Sequence, residues 1–83
     1  MPHFVYILRS QQDGSYYVGQ TADLENRLRR HNERRSVYTK AKAPWILVHQ
    51  ESFASRAEAT RREREIKARK DRDFVTQLVR TSR

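Results

Sequence analysis

Apolar residues are gathered into a few short stretches of an otherwise polar chain. Residues 3–9, HFVYILR, are rich in β-branched and aromatic types and apolar on both alternating faces, which predicts a strand covered on both sides and central in its sheet. Gln11, Gln12, Asp13 and Gly14 follow, and Asp-Gly marks a turn because glycine tolerates positive φ. SYYVGQ, residues 15–20, then reads as a second strand, so the two form a β-hairpin. A third strand is expected over WILVHQESF, from Trp45 to Phe53.

Between and after the strands the period lengthens. Thr21 is placed to cap a helix from about Ala22 to Arg35, with Asp23 and Glu25 in its first turn and Arg29, Arg30, Arg34 and Arg35 later, which suits the helix dipole. Leu24, Leu28 and His31 form its inward stripe. SVYTKAKAP, residues 36–44, is polar, has no clear period and ends in proline, so a loop long enough to reach a ligand is expected. Ser55 and Glu58 supply the S-x-x-E capping box of a second helix from about Arg56 to Arg69, and Asp71 can cap a short third helix through Val79. The expected class is α+β, in the order ββαβαα, with helices packed on the faces of a small antiparallel sheet. Without an internal repeat or linker, residues 1–83 read as one domain.

Composition narrows the setting. The 83 residues are 36% hydrophobic and 34% charged, with no cysteine. Neither a disulfide framework nor a thiolate zinc site is available, and the reducing cytoplasm is the expected location. No apolar run approaches the roughly 20 residues of a membrane span, and MPHFVYILRS lacks the order of segments of a signal peptide. The formal net charge of +8 favours a polyanionic partner, nucleic acid first.

Chemistry is carried by a few side chains. Tyr6 and Tyr17 are eleven residues apart, an odd separation that puts both on one face of an antiparallel hairpin closed by a two-residue or four-residue turn. Packed core tyrosines are the ordinary alternative. Gly19 leaves that face without a side chain beside Tyr17, so a phosphate or another backbone can approach, unless it marks a bulge. Arg27 borders the inward stripe of the first helix, where its fork of donors could reach a phosphate, although a solvated arginine has the same spacing. His31 could donate to a phosphate or shuttle a proton, or be a hydrogen-bonded core histidine.

On the second helix Glu63 stands four residues after Ala59 and three before Ile66, so a carboxylate is aimed inward and should meet an arginine or a metal ion. One carboxylate suits Mg²⁺, which keeps several waters and accepts a substrate phosphate oxygen. Scattered His3, His31 and His49 do not make a zinc site, and two glycines rule against a Walker-type loop.

Together FVY at 4–6, YVG at 17–19, Arg27, the pair His31 and Asn32, and Glu63 resemble the GIY-YIG endonuclease domain. VYILRS, DGSYYVGQT, LENRLRRHN, Tyr38 with Thr39, PWILVHQESF and RREREIK look like its small stand-alone bacterial members. The resemblance implies a three-stranded antiparallel sheet flanked by helices. It also implies phosphodiester hydrolysis with one divalent ion, Mg²⁺ or Mn²⁺, on Glu63. Tyr6 and Tyr17 lie at the family's site tyrosines, one of which is proposed to deprotonate water, and Arg27 and His31 join them. Departures are Phe4 for the first glycine, Gln20 where some relatives carry lysine, and no asparagine after Glu63.

The expected function is a metal-dependent endonuclease on DNA more than RNA, structure-selective or weakly selective, in repair or recombination. Gly19, Tyr38, Arg62 and Lys67 are the expected substrate contacts, and the basic second helix, which also carries Arg56, Arg61, Arg64, Arg69 and Lys70 near its end, is expected to hold the backbone. The alternatives are a catalytically weak or inactive nucleic-acid-binding module, relying on a protein partner for specificity, and a basic protein bound to ribosomes or other RNA.

Overall fold

The computed structural model describes residues 2–33, 40–69 and 71–81. Strands β1 (His3–Ser10), β2 (Tyr16–Thr21) and β3 (Trp45–Phe53) form one antiparallel sheet in the order β2-β1-β3, with helices α1 (Leu24–Asn32), α2 (Arg56–Arg69) and α3 (Arg72–Arg80). The expected order ββαβαα and the central place of β1 are both observed. Val5, Tyr6, Ile7 and Leu8 are all buried because helices cover both faces of the strand that carries them.

Each face has its own core. Val5 and Ile7 pack with Ala59 and Ile66 of α2 and Val75 of α3, joined by Tyr16, Val18 and Phe53. Tyr6 and Leu8 face the other way, into a cluster with Ala43 and Trp45 against which Tyr17, Leu24, Leu28 and Leu47 are packed. A bulge in β3, opposite Ile7 and Leu8, breaks its alternation. Trp45 and Leu47 therefore share the α1 face, while Glu51 and Phe53, further along the same strand, face α2.

Local chemistry sets the boundaries. Gly14 adopts φ 75°, and its N–H donates to the Ser10 carbonyl, closing the hairpin. The expected cap of α1 needs correction. Thr21 is the last residue of β2, and Asp23 is the N-cap, its carboxylate accepting from the Asn26 N–H at 3.1 Å, so Ala22 stays outside the helix. The helix ends at Asn32 with Glu33 as C-cap; Arg34 and Arg35 lie outside the described residues. Ser55 caps α2 by accepting from the Glu58 N–H, and its hydroxyl donates to the Glu58 carboxylate. Asp71 caps α3 as expected. The expected loop is described only from residue 40, where Lys40–Lys42 form one 3₁₀ turn.

Candidate active site at the edge of the sheet

The hairpin register places the tyrosines. Tyr6 lies opposite Gly19 and Leu8 opposite Tyr17, so the two phenols share the α1 face as diagonal neighbours, with ring centroids 6.3 Å apart. His31, on the inward stripe of α1, completes a triangle. Its Nε2 is 3.2 Å from the Tyr6 hydroxyl, and its ring centroid is 4.9 Å from that of Tyr17. Trp45 packs edge-on to Tyr17 from β3.

Burial differs sharply between the phenols. Tyr6 is 1% exposed and Tyr17 is half-buried. Desolvation pushes the Tyr6 phenol up to about 12, helped by the charges of Tyr17 and Glu63, while Arg27 pulls the other way through its charge and a hydrogen bond. Arg27 thus lies beside Tyr6, as its place on α1 predicted. His31 is 2% exposed and is held below its ordinary range by burial first and by the charges of Arg27 and Arg30 second, so it is neutral near pH 7.

Gly19 leaves room, but its use differs from the expectation. A Cβ at this position would lie 2.5 Å from the Tyr6 hydroxyl oxygen. The vacant volume holds the protein's own phenol, not an approaching phosphate.

Glu63 comes from the other side of the sheet. Gln20 is the cross-strand partner of Val5 and therefore faces α2, where its Nε2 donates to Thr60 Oγ1 at 2.8 Å and to Glu63 Oε1 at 3.0 Å. The second carboxylate oxygen is 2.9 Å from Lys67 Nζ, and the Glu63 side chain is only 16% exposed. The carboxylate is inward, as predicted, and close enough for its charge to act on Tyr6. Because β2 is an edge strand, the α1-face cluster and Glu63 flank the same sheet edge.

One of the expected substrate contacts, Arg62, does not join this cluster. Arg62, one position before Glu63, points toward β3, where Nε and Nη2 donate to both oxygens of Glu51 at 2.8 and 3.1 Å and Nη1 donates to Glu65. Its fork is already engaged. Tyr38 lies outside the described residues. Lys67 adjoins the site, but as the ion-pair partner of Glu63.

Two positioning groups were not legible as such. Gln20 reads in the sequence only as a missing lysine, yet it orients Glu63. Asn32 ties the end of α1 to the start of β3, its Nδ2 donating to the Trp45 carbonyl and its Oδ1 accepting from the Trp45 N–H at 2.6 Å. Both act through tertiary contacts that no local pattern encodes.

For a divalent ion the donor chemistry is limited but suitable. Among the described residues no three His, Cys, Asp or Glu side chains cluster. Beside Glu63, however, the Gln20 Oε1 is buried without a hydrogen-bond partner. A carboxylate and an unsatisfied amide oxygen are hard donors that fit Mg²⁺ or Mn²⁺ better than a softer metal.

The profile of the GIY-YIG catalytic domain matches residues 2–74. The UPF0213 protein SH2523 of Staphylococcus haemolyticus is 47% identical over 66 residues, 78% of this chain and 79% of that protein. The UPF0213 protein VNG_2274C of Halobacterium salinarum is 44% identical over 66 residues, 78% and 84% of the two chains. In structure, the chain is similar to the UPF0213 protein BH0048 of Bacillus halodurans, solved by solution NMR, with 39% identity, a TM-score of 0.62 and coverage of 98% of this chain and 85% of that one.

Proposed function

Because the chain belongs to the GIY-YIG catalytic domain family, a family of nucleases, we propose that it is a metal-dependent endonuclease that hydrolyses phosphodiester bonds in DNA. The observation that carries this reading is convergence. Residues distant in sequence, Tyr6, Tyr17, Arg27 and His31, meet on one sheet face, and Glu63 is held at the neighbouring edge with its charge felt by Tyr6.

In hydrolysis a water oxygen attacks phosphorus, the bond to the leaving oxygen breaks, and the water's proton passes to a base. Tyr17 suits the base role because it is the accessible phenol. Arg27, hydrogen-bonded to the neighbouring Tyr6, places a cation on the same face. Tyr6 stays protonated and holds His31 against Tyr17. Arg27 offers planar, bidentate donors to the phosphate oxygens, where negative charge is concentrated in the transition state. Glu63, with the Gln20 amide oxygen, would hold the divalent ion, which would stabilise charge on the phosphate. Until then Lys67 neutralises the carboxylate.

DNA is the proposed substrate because the surface is basic. Arg56, Arg61 and Arg64 line a shallow cleft of about 550 Å³ next to Thr60, on the stripe of α2 that leads to Glu63. A short helix surface of this kind grips phosphates without reading a long base sequence, which favours structure-selective cutting of the sort used in repair or recombination.

A screen of branched, flapped, nicked and single-stranded DNA with Mg²⁺ or Mn²⁺ tests the proposal. Cleavage should vanish in Glu63→Ala while DNA binding persists, and Tyr17→Phe should slow it by about 10² to 10⁴-fold. Binding without cleavage on any of these substrates would leave the binding module as the better reading.

A further inference from the structure

A second cleft, also of about 550 Å³, opens on the α2 face of β2, between Tyr16 and Val18 of the strand and the corner where α2 meets α3. We propose that it binds one unpaired nucleobase of the strand that is cut. This rests on the nuclease reading above and specifies its substrate as DNA with an unpaired nucleotide beside the scissile phosphate.

Position, shape and charge support the assignment. Thr60, Glu63 and Lys67 follow one another at helical spacing along a single stripe of α2. Thr60 borders the arginine-lined cleft, and Lys67 borders this one, so the candidate carboxylate lies between them. A strand lying along α2 would meet a cationic groove, then Glu63, then this cleft.

The cleft's volume falls within the roughly 300–1,000 Å³ of small-molecule sites. Its most buried lining residues are apolar, Ile66 and Val75, with Val18 beside them. The rim is different. The Arg72 guanidinium lies over the Tyr16 ring, 5.2 Å from its centre, and donates to the Gly14 carbonyl at 3.3 Å, which presents a planar cation at the exposed edge. Lys67, the ion-pair partner of Glu63, also lines the cleft, and Asp71 contributes a carboxylate able to accept from an exocyclic amine. Apolar depth with a planar cationic rim suits a flat aromatic ring attached to a phosphate. Sequence-tolerant binding of single strands uses the same combination of stacking and cations.

Binding can be read without catalysis. With ¹⁵N-labelled protein in EDTA, a thymidine tetranucleotide should shift the amides of Val18, Lys67, Arg72 and Val75. Thymidine alone should move the same signals, and inorganic phosphate should not. Arg72→Lys keeps the charge but removes the planar stack, and should weaken tetranucleotide binding about fivefold while leaving binding of a blunt duplex unchanged. Shifts confined to the Arg56–Arg64 surface or to α1, a response to phosphate equal to that to thymidine, or an unchanged affinity in Arg72→Lys would each overturn the assignment. Because EDTA removes cleavage from the readout, an inactive enzyme leaves these results meaningful.

Discussion

A methyl group at position 19 has nowhere to go. It would lie 2.5 Å from the Tyr6 hydroxyl and 2.7 Å from its ring carbon Cζ, so Gly19→Ala must displace a phenol that is otherwise wholly buried. The expected cost is about 1–3 kcal/mol in urea unfolding, as for other overpacked interiors. The Tyr6–His31 hydrogen bond should be lost with it, visible as a changed His31 ring signal in NMR. Retained stability with an unmoved His31 signal would mean that Tyr6 does not fill that space. The strand position of Gly19 beside Tyr17 could be read from sequence, whereas the occupant of its empty space depends on the cross-strand partner.

Helix α2 serves two opposite tasks on two stripes. Thr60, Glu63 and Lys67 face β2 and the site, while Arg62 turns to β3 and clamps Glu51. Burial pushes the Glu51 carboxyl up, but hydrogen bonds from Arg62 and His49 outweigh it and hold it below its ordinary range. At 23% exposure on both sides the pair lies between surface and core behaviour, so Arg62→Ala should cost about 1–2 kcal/mol. Urea titration measures the loss, and cleavage by the folded variant should be unchanged. A large loss of activity at unchanged stability would return Arg62 to the substrate contacts. For α1, Asp23→Ala removes the observed cap and should cost about 0.5–2 kcal/mol, whereas a Thr21 cap would leave Asp23→Ala nearly silent.

For the molecule as a whole, pH and salt report different parts. The Tyr6 phenol is raised from 10.0 to about 12 on folding, so the native state binds its proton more tightly than the unfolded chain. That contribution is complete below pH 10 and is lost between pH 10 and about 12, a fall of roughly 2–3 kcal/mol. Tyr6→Phe should flatten that limb in pH-dependent unfolding. His31 and Glu51 act at the other end, since both are depressed in the folded state. Their contributions are present above the ordinary values of 6.5 and 4.5 respectively and decline as pH falls below them. With a net charge of +8, affinity for single-stranded DNA should fall with salt, the log–log slope being roughly −3 for four phosphate contacts. An affinity indifferent to salt would argue against backbone binding.

Strand and helix periods, turn residues and caps are local properties, and so the element order, the central place of β1 and the shared face of Tyr6 and Tyr17 could be derived from the chain before any coordinates. The inward aim of Glu63 followed from its spacing to Ala59 and Ile66. Other features arise only when distant segments pack. One bulge in β3 turns Glu51 toward α2, and that side chain engages Arg62, which helical spacing alone had left available for substrate. The single-residue difference between Arg62 and Glu63 sends one to β3 and the other to β2. Gln20 and Asn32 are ordinary polar residues until a partner some 13 to 43 positions away makes them clamps. Periodicity encodes which face a side chain takes on its own element, but the neighbour that meets that face is set by how the sheet and helices close around one another.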